Sequence, residues 1–234
     1  MKIFVINPGS TSTKIALFDD TSCLWADTQR YETDVLEQFG TIMEQEQFRF
    51  DEIMKVLVSK NVAPSDLSAV VGRGGLMKPI RGGTYLVNGP MLEDLKNMTY
   101  GSHASNLGAP LAIRFATAAG DIPAFIVDPV VVDELADEAR ISGLPEIPRI
   151  SIFHALNQKA VARRTAAELK KTVEECNLVV AHMGGGVSVG AHEKGRVVDV
   201  NNALDGEGPM SPERSGSLPV GGLTGLCFSG KHTM

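Results

Sequence analysis

The most constraining feature of this sequence is a strand–turn–strand–turn–strand pattern that occurs twice. The first copy lies within residues 3–29 and the second within residues 178–200. In both copies short apolar runs are separated by clusters of turn-forming residues, the pattern expected of an antiparallel meander. The predicted strands are residues 3–6, 13–18, 23–29, 178–181, 187–191 and 196–200. The chain is therefore expected to form two related lobes whose first turns can face each other across a cleft.

The first turn of each meander has the composition of an anion-binding loop. The stretch "NPGSTSTK" supplies Ser10, Ser12 and Lys14, and the stretch "MGGG" supplies glycines 184–186. Backbone amides at such turns form anion-binding concavities without a following helix. Hydroxyl groups and a lysine add donors and charge. One such turn alone favours an ordinary hairpin, but two matching turns favour a phosphate-binding role.

Helical and strand-like segments alternate between the two meanders. The order strand, strand, strand, helix, strand, helix, strand, helix is typical of an α/β layered lobe. The predicted helices are residues 50–62, 91–98 and 109–119, one that begins near Val131, and a long one over 154–176. The predicted buried strands are residues 67–71 and 124–127. The proline-rich stretch "GLPEIPRI" separates the expected lobes, 1–149 and 150–234.

Composition excludes several classes of partner. Lys and Arg number 22 against 28 Asp and Glu, a formal net charge of −6, so we expect no nucleic-acid partner. No apolar run approaches the ~18 residues of a membrane span, so we expect no membrane partner. The N-terminal apolar run is too short for a signal peptide. Three widely spaced cysteines, Cys23, Cys176 and Cys227, indicate reduced thiols in a cytoplasmic protein.

Seven short motifs occur in order along the chain: "VINPGSTSTK", "VVGRGG", "GSHASNLGAP", "FIVDP", "IFHALNQKAVAR", "AHMGGGVSVG" and "SPERSG". In order and approximate spacing they resemble the acetokinase family, which belongs to the acetate and sugar kinase, heat-shock and actin fold class. The resemblance implies duplicated βββαβαβα lobes. It also implies reversible phosphoryl transfer between ATP and a short-chain carboxylate, with Mg²⁺, in a cytoplasmic homodimer.

The resemblance also implies roles for individual residues. Arg73 and Arg214 would clamp the transferring phosphoryl group and the carboxylate, because a planar guanidinium suits both. His154 would donate a hydrogen bond to the transferring group, and Asp128 would act near the carboxylate and the metal. Asn7 would help to hold Mg²⁺ through water, since magnesium gives up its water ligands reluctantly. The residues expected to bind the ATP phosphates are Ser10, Ser12, Lys14, His182, Gly184, Gly185 and Gly186.

Structural alternatives stay open for several of these residues. Arg73 would be a solvated surface residue in the alternative, and Arg214 would form a local ion pair with the adjacent Glu213. His154 would cap its helix, and His182 would be a satisfied core histidine.

The substrate pocket implied by the resemblance contains Gly75, His103 and Phe153. Acetate-using members of the family carry "RVVHGG" where this chain has Arg73 followed by "GGL", so Gly75 stands where a valine lines the acetate pocket. Loss of the branched side chain would make room for a longer alkyl tail, worth about 0.8 kcal/mol per buried CH₂. We therefore expect butyrate or isobutyrate as substrate, and a Gly75→Val exchange is expected to shift preference toward acetate.

The second lobe is expected to be incomplete. Its meander ends near Asn202, whereas the family continues well beyond the corresponding point. Two alternative functions stay open: an acetate or propionate kinase on the same scaffold, and a nucleotide-binding protein without catalysis.

Overall fold

The computed structural model describes residues 1–232. The chain divides into two compact units, Met1–Val131 and Val132–Met234. None of the helices within residues 1–232 is both long and apolar enough to cross a membrane.

The first unit is built on a mixed six-stranded sheet with the order β3-β2-β1-β4-β6-β5. The strands are β1 (Lys2–Pro8), β2 (Ser12–Asp19), β3 (Ser22–Arg30), β4 (Ala69–Arg73), β5 (Thr84–Leu86) and β6 (Ala124–Val127). Strands β1, β2 and β3 form the predicted antiparallel meander, and β5 runs antiparallel to β6. Because β1, β4 and β6 are parallel, their carboxyl ends meet at one edge of the sheet.

Four helices accompany this sheet: α1 (Thr33–Leu36), α2 (Gln45–Ser59), α3 (Gly89–Lys96) and α4 (Gly108–Ala118). Helix α3 begins where the Asn88 side chain accepts a hydrogen bond from the Met91 amide at 3.1 Å. Seven of the 11 residues of helix α4 are buried, and its Phe115 ring packs edge-on against Phe4 of β1 at a centroid distance of 5.4 Å. The core between sheet and helices is therefore aliphatic and aromatic, as the apolar periodicity predicts.

Helix α4 begins in direct backbone contact with β4. A Cβ atom on Gly108 would overlap the carbonyl oxygen of Arg73, and a Cβ on Gly72 would overlap the carbonyl of Gly108. Only glycine at both positions allows the two backbones to approach this closely. This contact fixes the position of Arg73, the last residue of β4.

The second unit contains α5 (Ala155–Glu168), α6 (Val220–Cys227) and an antiparallel sheet of β7 (Asn177–Met183), β8 (Val187–Glu193) and β9 (Arg196–Val200). This sheet is the predicted second meander, so the duplication is confirmed. Its apolar cluster consists of Val132, Leu135, Phe153, Ala155, Val197 and Val200. The long helix predicted over 154–176 is shorter, because α5 ends at Glu168 and only a 3₁₀ turn, Val173–Glu175, follows.

The prediction of a helix that begins near Val131 is wrong. The segment that follows is irregular, with a single 3₁₀ turn at Glu138–Arg140. Its polar groups bond elsewhere: the Ala136 amide donates to the Val198 carbonyl at 2.9 Å, and the buried Glu134 carboxylate pairs with Lys159 at 2.8 Å. Residues 132–149 thus pack with the second unit, whereas the sequence placed the boundary after residue 149.

His192 on β8 is a buried histidine at the centre of the second unit. It is 3% exposed, and its Nε2 lies 3.0 Å from Oε1 of Gln158. Burial lowers the pKa of His192 to about 4, and the positive charge of Lys159 acts in the same direction. Glu134 opposes the shift but does not overcome it. The imidazole is therefore neutral in the folded protein at ordinary pH.

Exchange of Gly108 for alanine should destabilise the first unit. We expect Gly108→Ala to lower the free energy of unfolding by about 2 kcal/mol or more, because the new methyl group overlaps the β4 backbone. The measurement is urea unfolding followed by circular dichroism. Gly89→Ala is the matched control, since a Cβ at this helical glycine meets no atom within 4 Å. Equal stability of the two variants would contradict the close contact.

Acid should destabilise the protein partly through His192. The unfolded histidine titrates near ~6.5, whereas the folded pKa is about 4. Between these values the unfolded chain binds the extra proton, so stability is fully present above about 6.5 and falls as the pH drops. His192→Gln removes this titration and should flatten the fall by up to about 3 kcal/mol between the two values. The measurement is the unfolding free energy of both proteins from pH 7 to 4, and parallel curves would contradict the assignment.

Candidate active site

In the first unit, four of the predicted site residues share one face of the sheet. Thr13 of β2 is fully buried, so Ser12 and Lys14 on either side of it point to the opposite face. Asn7 of β1 lies directly opposite Lys14 in the antiparallel register. Nη1 of Arg73 donates to Oδ1 of Asn7 at 3.5 Å, a long hydrogen bond that joins the ends of β4 and β1.

Arg73 is half-buried, and burial lowers the pKa of its guanidinium. Arginine nevertheless keeps its charge at ordinary pH. Arg73 is therefore a partly desolvated cation held beside Asn7, and the alternative of a solvated surface residue does not fit its burial. Ser10 is exposed in the turn that precedes β2.

Asp128 directly follows β6 and lies at the same sheet edge as Arg73. It is 1% exposed, and its Oδ1 accepts a hydrogen bond from the Gly83 amide at 2.8 Å. Its backbone φ of 39° lies in the left-handed region, a strained conformation that concentrates at functional sites. Arg73 pairs in register with Val127, the residue before Asp128. The structure thus places this carboxylate where the sequence predicts it.

Gly75 and His103 both have structural roles in the first unit: Gly75 packs against backbone, and His103 caps a 3₁₀ helix. A Cβ on Gly75 would lie 2.6 Å from the Cα of Asn106, so the position faces backbone rather than open space. The His103 imidazole accepts from the Ser105 amide at 3.2 Å and caps the 3₁₀ helix Ala104–Leu107. The expectation that Gly75 opens room for a longer substrate is therefore not supported by this geometry. A Gly75→Val exchange would disturb packing before it reported on any pocket.

Arg49 is the residue of the first unit that sequence reasoning missed. This arginine of α2 is fully buried, and its guanidinium donates to the carbonyl oxygens of Gly9 and Ser10 at 2.8 and 3.0 Å. A signal was present in the sequence, because Arg49 precedes Ile53 and Leu57 at helical spacing. A cation on the apolar stripe of a helix indicates a buried partner.

In the second unit, His154 and His182 lie face to face. Their rings stack at a centroid distance of 3.7 Å and an interplanar angle of 7°. Nδ1 of His154 lies 2.9 Å from Oγ of Ser188, and Nδ1 of His182 lies 2.9 Å from Nδ2 of Asn157. The structure brings these two predicted residues together in one place.

The partners of the two histidines fix their tautomers. Oγ of Ser188 accepts from Nε2 of Gln158 at 2.8 Å and from the His154 amide at 3.4 Å, so both of its lone pairs are used and its hydrogen is directed to Nδ1 of His154. The amide of Asn157 is likewise a donor to Nδ1 of His182. In their neutral form both imidazoles therefore carry the proton on Nε2, an atom from which each can donate a hydrogen bond.

The triple-glycine turn and the loop that contains Arg214 are bonded to each other. The Gly185 carbonyl accepts from the Ser211 hydroxyl at 2.6 Å and from the Glu213 amide at 3.1 Å. The Glu213 carboxylate stands beside Gly185, where an added Cβ would lie 2.6 Å from its Cδ. It also pairs with Arg214 at 3.2 Å, the local ion pair that the sequence left open. Because this pair is largely exposed, it contributes little to stability, and the clamp role of Arg214 stays a prediction.

Phe153 is a core residue of the second unit. It is 2% exposed and packs against Val132 and Val200 in the apolar cluster. This burial does not support its assignment to a substrate pocket. Its effect on the site is indirect, because it precedes His154 and anchors the start of α5.

Each unit thus presents its own set of groups suited to phosphate chemistry. The first supplies two cations, hydroxyl groups and a buried carboxylate, and the second supplies two imidazole donors beside a glycine turn. Within residues 1–232 no cluster of three or more His, Cys, Asp or Glu side chains could hold a metal ion.

Comparisons with known proteins identify relatives across the whole chain. The model of the Acetokinase family matches residues 147–225. Butyrate kinase 2 of Clostridium acetobutylicum is 60% identical over 232 residues, which is 99% of this chain and 65% of that protein. Butyrate kinase 1 of the same organism is 57% identical with the same coverage. This chain therefore spans about 65% of the length of the curated relatives that it matches.

Solved structures support the fold. The acetate kinase of Porphyromonas gingivalis superimposes with a TM-score of 0.73 at 17% identity, covering 99% of this chain and 65% of that one. The propionate kinase of Francisella tularensis gives a TM-score of 0.65 at 21% identity with the same coverage. At such identities the likeness shows the fold alone, and it confirms the predicted fold class.

The tautomer assignment is testable without any assay of function. We expect long-range ¹H–¹⁵N correlation spectra, recorded at a pH at which both imidazoles are neutral, to show His154 and His182 protonated at Nε2. Ser188→Ala removes the hydroxyl that fixes His154 and should leave this histidine in a mixture of tautomers. His182 serves as the internal control, because its partner is Asn157 rather than Ser188. Protonation at Nδ1 in the unaltered protein would contradict the hydrogen-bond network described here.

Proposed function

We propose that this chain is a member of the acetokinase family and that it transfers a phosphoryl group reversibly between ATP and a short-chain carboxylate. The products in the forward direction are an acyl phosphate and ADP. The observation that carries the proposal is the face on which Ser12, Lys14 and Arg73 lie together with Asn7. Phosphoryl transfer depends chiefly on positioning and on neutralising negative charge, and this face offers both.

The acceptor needs no general base. A short-chain carboxylate is already ionised near neutral pH, so its oxygen can attack the terminal phosphorus without losing a proton. The bond from that phosphorus to the bridging oxygen of ADP breaks as the new bond forms. The residues of the site therefore have to orient two anions and offset their repulsion.

We assign the separate tasks by chemistry. Ser10, Ser12 and Lys14 bind the ATP phosphates, and Arg73 holds the transferring group bidentately. In the second unit, His154 and His182 donate from Nε2 to phosphate oxygens, and glycines 184–186 let the backbone approach a phosphate. Arg214 binds an anion once it leaves Glu213, the partner with which it now pairs. Asp128 orients the groups around the acceptor.

Magnesium fits the donor set in one limited way. Asn7 offers an amide oxygen, and Asp128 is a buried carboxylate at the same sheet edge. Mg²⁺ usually keeps several waters and binds one or two protein oxygens together with phosphate oxygens. When bound, the ion would neutralise charge on the ATP phosphates, and Asn7 would hold it through water.

Butyrate or isobutyrate is the proposed acceptor. Support comes from the names of the relatives, since proteins called butyrate kinase are 57–60% identical to this chain. The acetate and propionate kinases among the solved structures are 17% and 21% identical. An acetate or propionate kinase is therefore the less favoured alternative, and a nucleotide-binding protein without catalysis is the other.

We also propose a cytoplasmic homodimer, as in the family that the sequence resembles. The three cysteines, Cys23, Cys176 and Cys227, are all free thiols, which suits a reducing compartment.

The proposal is tested by trapping the acyl phosphate. The chain is incubated with MgATP, hydroxylamine and, in turn, acetate, propionate, butyrate and isobutyrate. We expect hydroxamate to form fastest with butyrate or isobutyrate. Arg73→Met should lower the rate by about 100-fold or more, because a donor to the transferring group is lost, while MgATP still binds. Arg196→Met, at an exposed position on β9, is the control and should keep the rate.

Two results would contradict this function. Absence of hydroxamate both from this chain and from a longer version that includes the remaining length of its relatives would refute the carboxylate kinase. A rate that Arg73→Met leaves unchanged would refute the role of Arg73.

A further inference from the structure

We propose that Arg49 is a positioning residue that shapes the turn between β1 and β2 for phosphate and places an uncompensated positive charge behind it. The inference rests on the proposed phosphate-binding role of Ser10, Ser12 and Lys14. Arg49 itself would not touch the ligand. It lies on the opposite side of the turn, on α2, and acts through the backbone of residues 9–13.

The guanidinium of Arg49 is bonded to the turn at four points. Nη1 donates to the carbonyl oxygens of Gly9 and Ser12 at 2.8 and 3.3 Å, and also to Oγ1 of Thr13 at 3.2 Å. Nη2 donates to the Ser10 carbonyl at 3.0 Å. Three carbonyl groups of one turn therefore point toward a single cation.

This arrangement dictates where the amide groups point. In a trans peptide unit the C=O and the following N–H point in opposite directions, and no peptide bond of the described chain is cis. Because the carbonyls of Gly9 and Ser10 point to Arg49, the N–H groups of Ser10 and Thr11 point away from it. Within residues 1–232 neither amide donates to another protein atom. Successive outward amides of this kind form an anion-binding concavity.

The side chains of β2 follow the same division. Thr13 points inward to Arg49 and is fully buried. Ser12 and Lys14 point to the other face, where Asn7 and Arg73 lie. Arg49 thus holds the turn from behind while the predicted phosphate ligands stand in front.

The charge of Arg49 has no acidic partner. In the described part of the chain, every atom that accepts from it is a carbonyl oxygen, a hydroxyl or the amide oxygen of Gln45, which receives Nε at 3.1 Å and Nη2 at 2.8 Å. The Tyr31 ring covers the guanidinium at 4.9 Å. Burial lowers the pKa of Arg49, but the group remains a cation. A buried charge without a counterion is costly, and an anion bound at the turn would supply one.

Lysine cannot reproduce this function. The planar guanidinium has five donors in a fixed fork, and the contacts to Gln45 and to residues 9–13 use its three nitrogen atoms. An ammonium group has three donors around one atom and could satisfy only part of the turn. Arg49→Lys therefore keeps the charge but loosens the geometry, and Arg49→Met removes both.

The test measures phosphate affinity and folding in the same proteins. Titration calorimetry with tripolyphosphate as the probe is carried out on the unaltered chain, Arg49→Lys, Arg49→Met and Arg114→Met, with urea unfolding of each. Arg114 is the matched control, because it also contacts the first turn of α2, through Glu46 and Gln47, but does not reach residues 9–13. We expect Arg49→Met to bind about tenfold or more weakly, since a charge and its orienting bonds are lost. Arg49→Lys should lie between, and Arg114→Met should match the unaltered chain.

A kinetic measurement separates positioning from general destabilisation. In the carboxylate kinase assay, Arg49→Lys should raise the KM for ATP while the KM for butyrate is unchanged. A purely structural role would reduce the folded fraction, which lowers kcat and leaves both KM values alone. If Arg49→Met does not fold, Arg49→Lys decides the question by itself.

The outcomes for Arg49 and for the proposed function are distinct. Unchanged tripolyphosphate affinity in a folded Arg49 variant, or no binding to the unaltered chain, would overturn the positioning role. Binding that depends on Arg49 without any carboxylate-dependent hydroxamate would support that role and refute the carboxylate kinase. Hydroxamate formation with an unchanged KM for ATP in Arg49→Lys would do the reverse.

Discussion

The first unit depends on how the chain satisfies the backbone of the turn between β1 and β2. Carbonyl groups that leave a sheet ladder and enter the interior must find donors. Here one buried guanidinium, that of Arg49, donates hydrogen bonds to the carbonyl oxygens of Gly9, Ser10 and Ser12. The opposite edges of the same peptide units are thereby presented to the face that carries Lys14 and Arg73. The same turn therefore satisfies its buried carbonyl groups on one side and presents its amide groups for binding on the other.

A close backbone contact between α4 and β4 fixes the position of Arg73 on this surface. Glycines at positions 72 and 108 let α4 begin against the end of β4, and this contact holds the backbone of Arg73 in place. The parallel pairing of β1, β4 and β6 brings Asn7, Arg73 and Asp128 to the same edge, the usual place for ligand sites in such sheets. The second unit repeats the meander but equips it differently, with the stacked imidazoles of His154 and His182.

Much of this could be predicted from the sequence, because strand alternation and turn residues are local signals. Both meanders were predictable in this way, and so was the buried strand before Asp128. The irregular segment after Val131 was not, because the hydrogen bond of Ala136 to Val198 and the pair of Glu134 with Lys159 are long-range contacts. Strand β5 was missed because it has three residues and pairs only at the sheet edge.

The site shows the same division between local and long-range signals. Motifs identified the glycine turns and Arg73, but they gave Gly75 a pocket role that the nearby backbone of Asn106 does not support. They also passed over Arg49, whose importance lies in contacts to residues about 40 positions earlier, such as Gly9. A resemblance to a family identifies residues that match its motifs. Only the three-dimensional contacts show whether such a residue serves packing or binding.

Phosphate binding at the β1–β2 turn is the central proposal for this protein. The most direct measurement is a ¹H–¹⁵N titration of the labelled chain with MgATP, in which the backbone amide resonances of Ser10 and Thr11 are followed. We expect these two amide resonances to shift strongly and to saturate together with that of Lys14. Unchanged Ser10 and Thr11 resonances, in a chain that binds MgATP elsewhere, would contradict it.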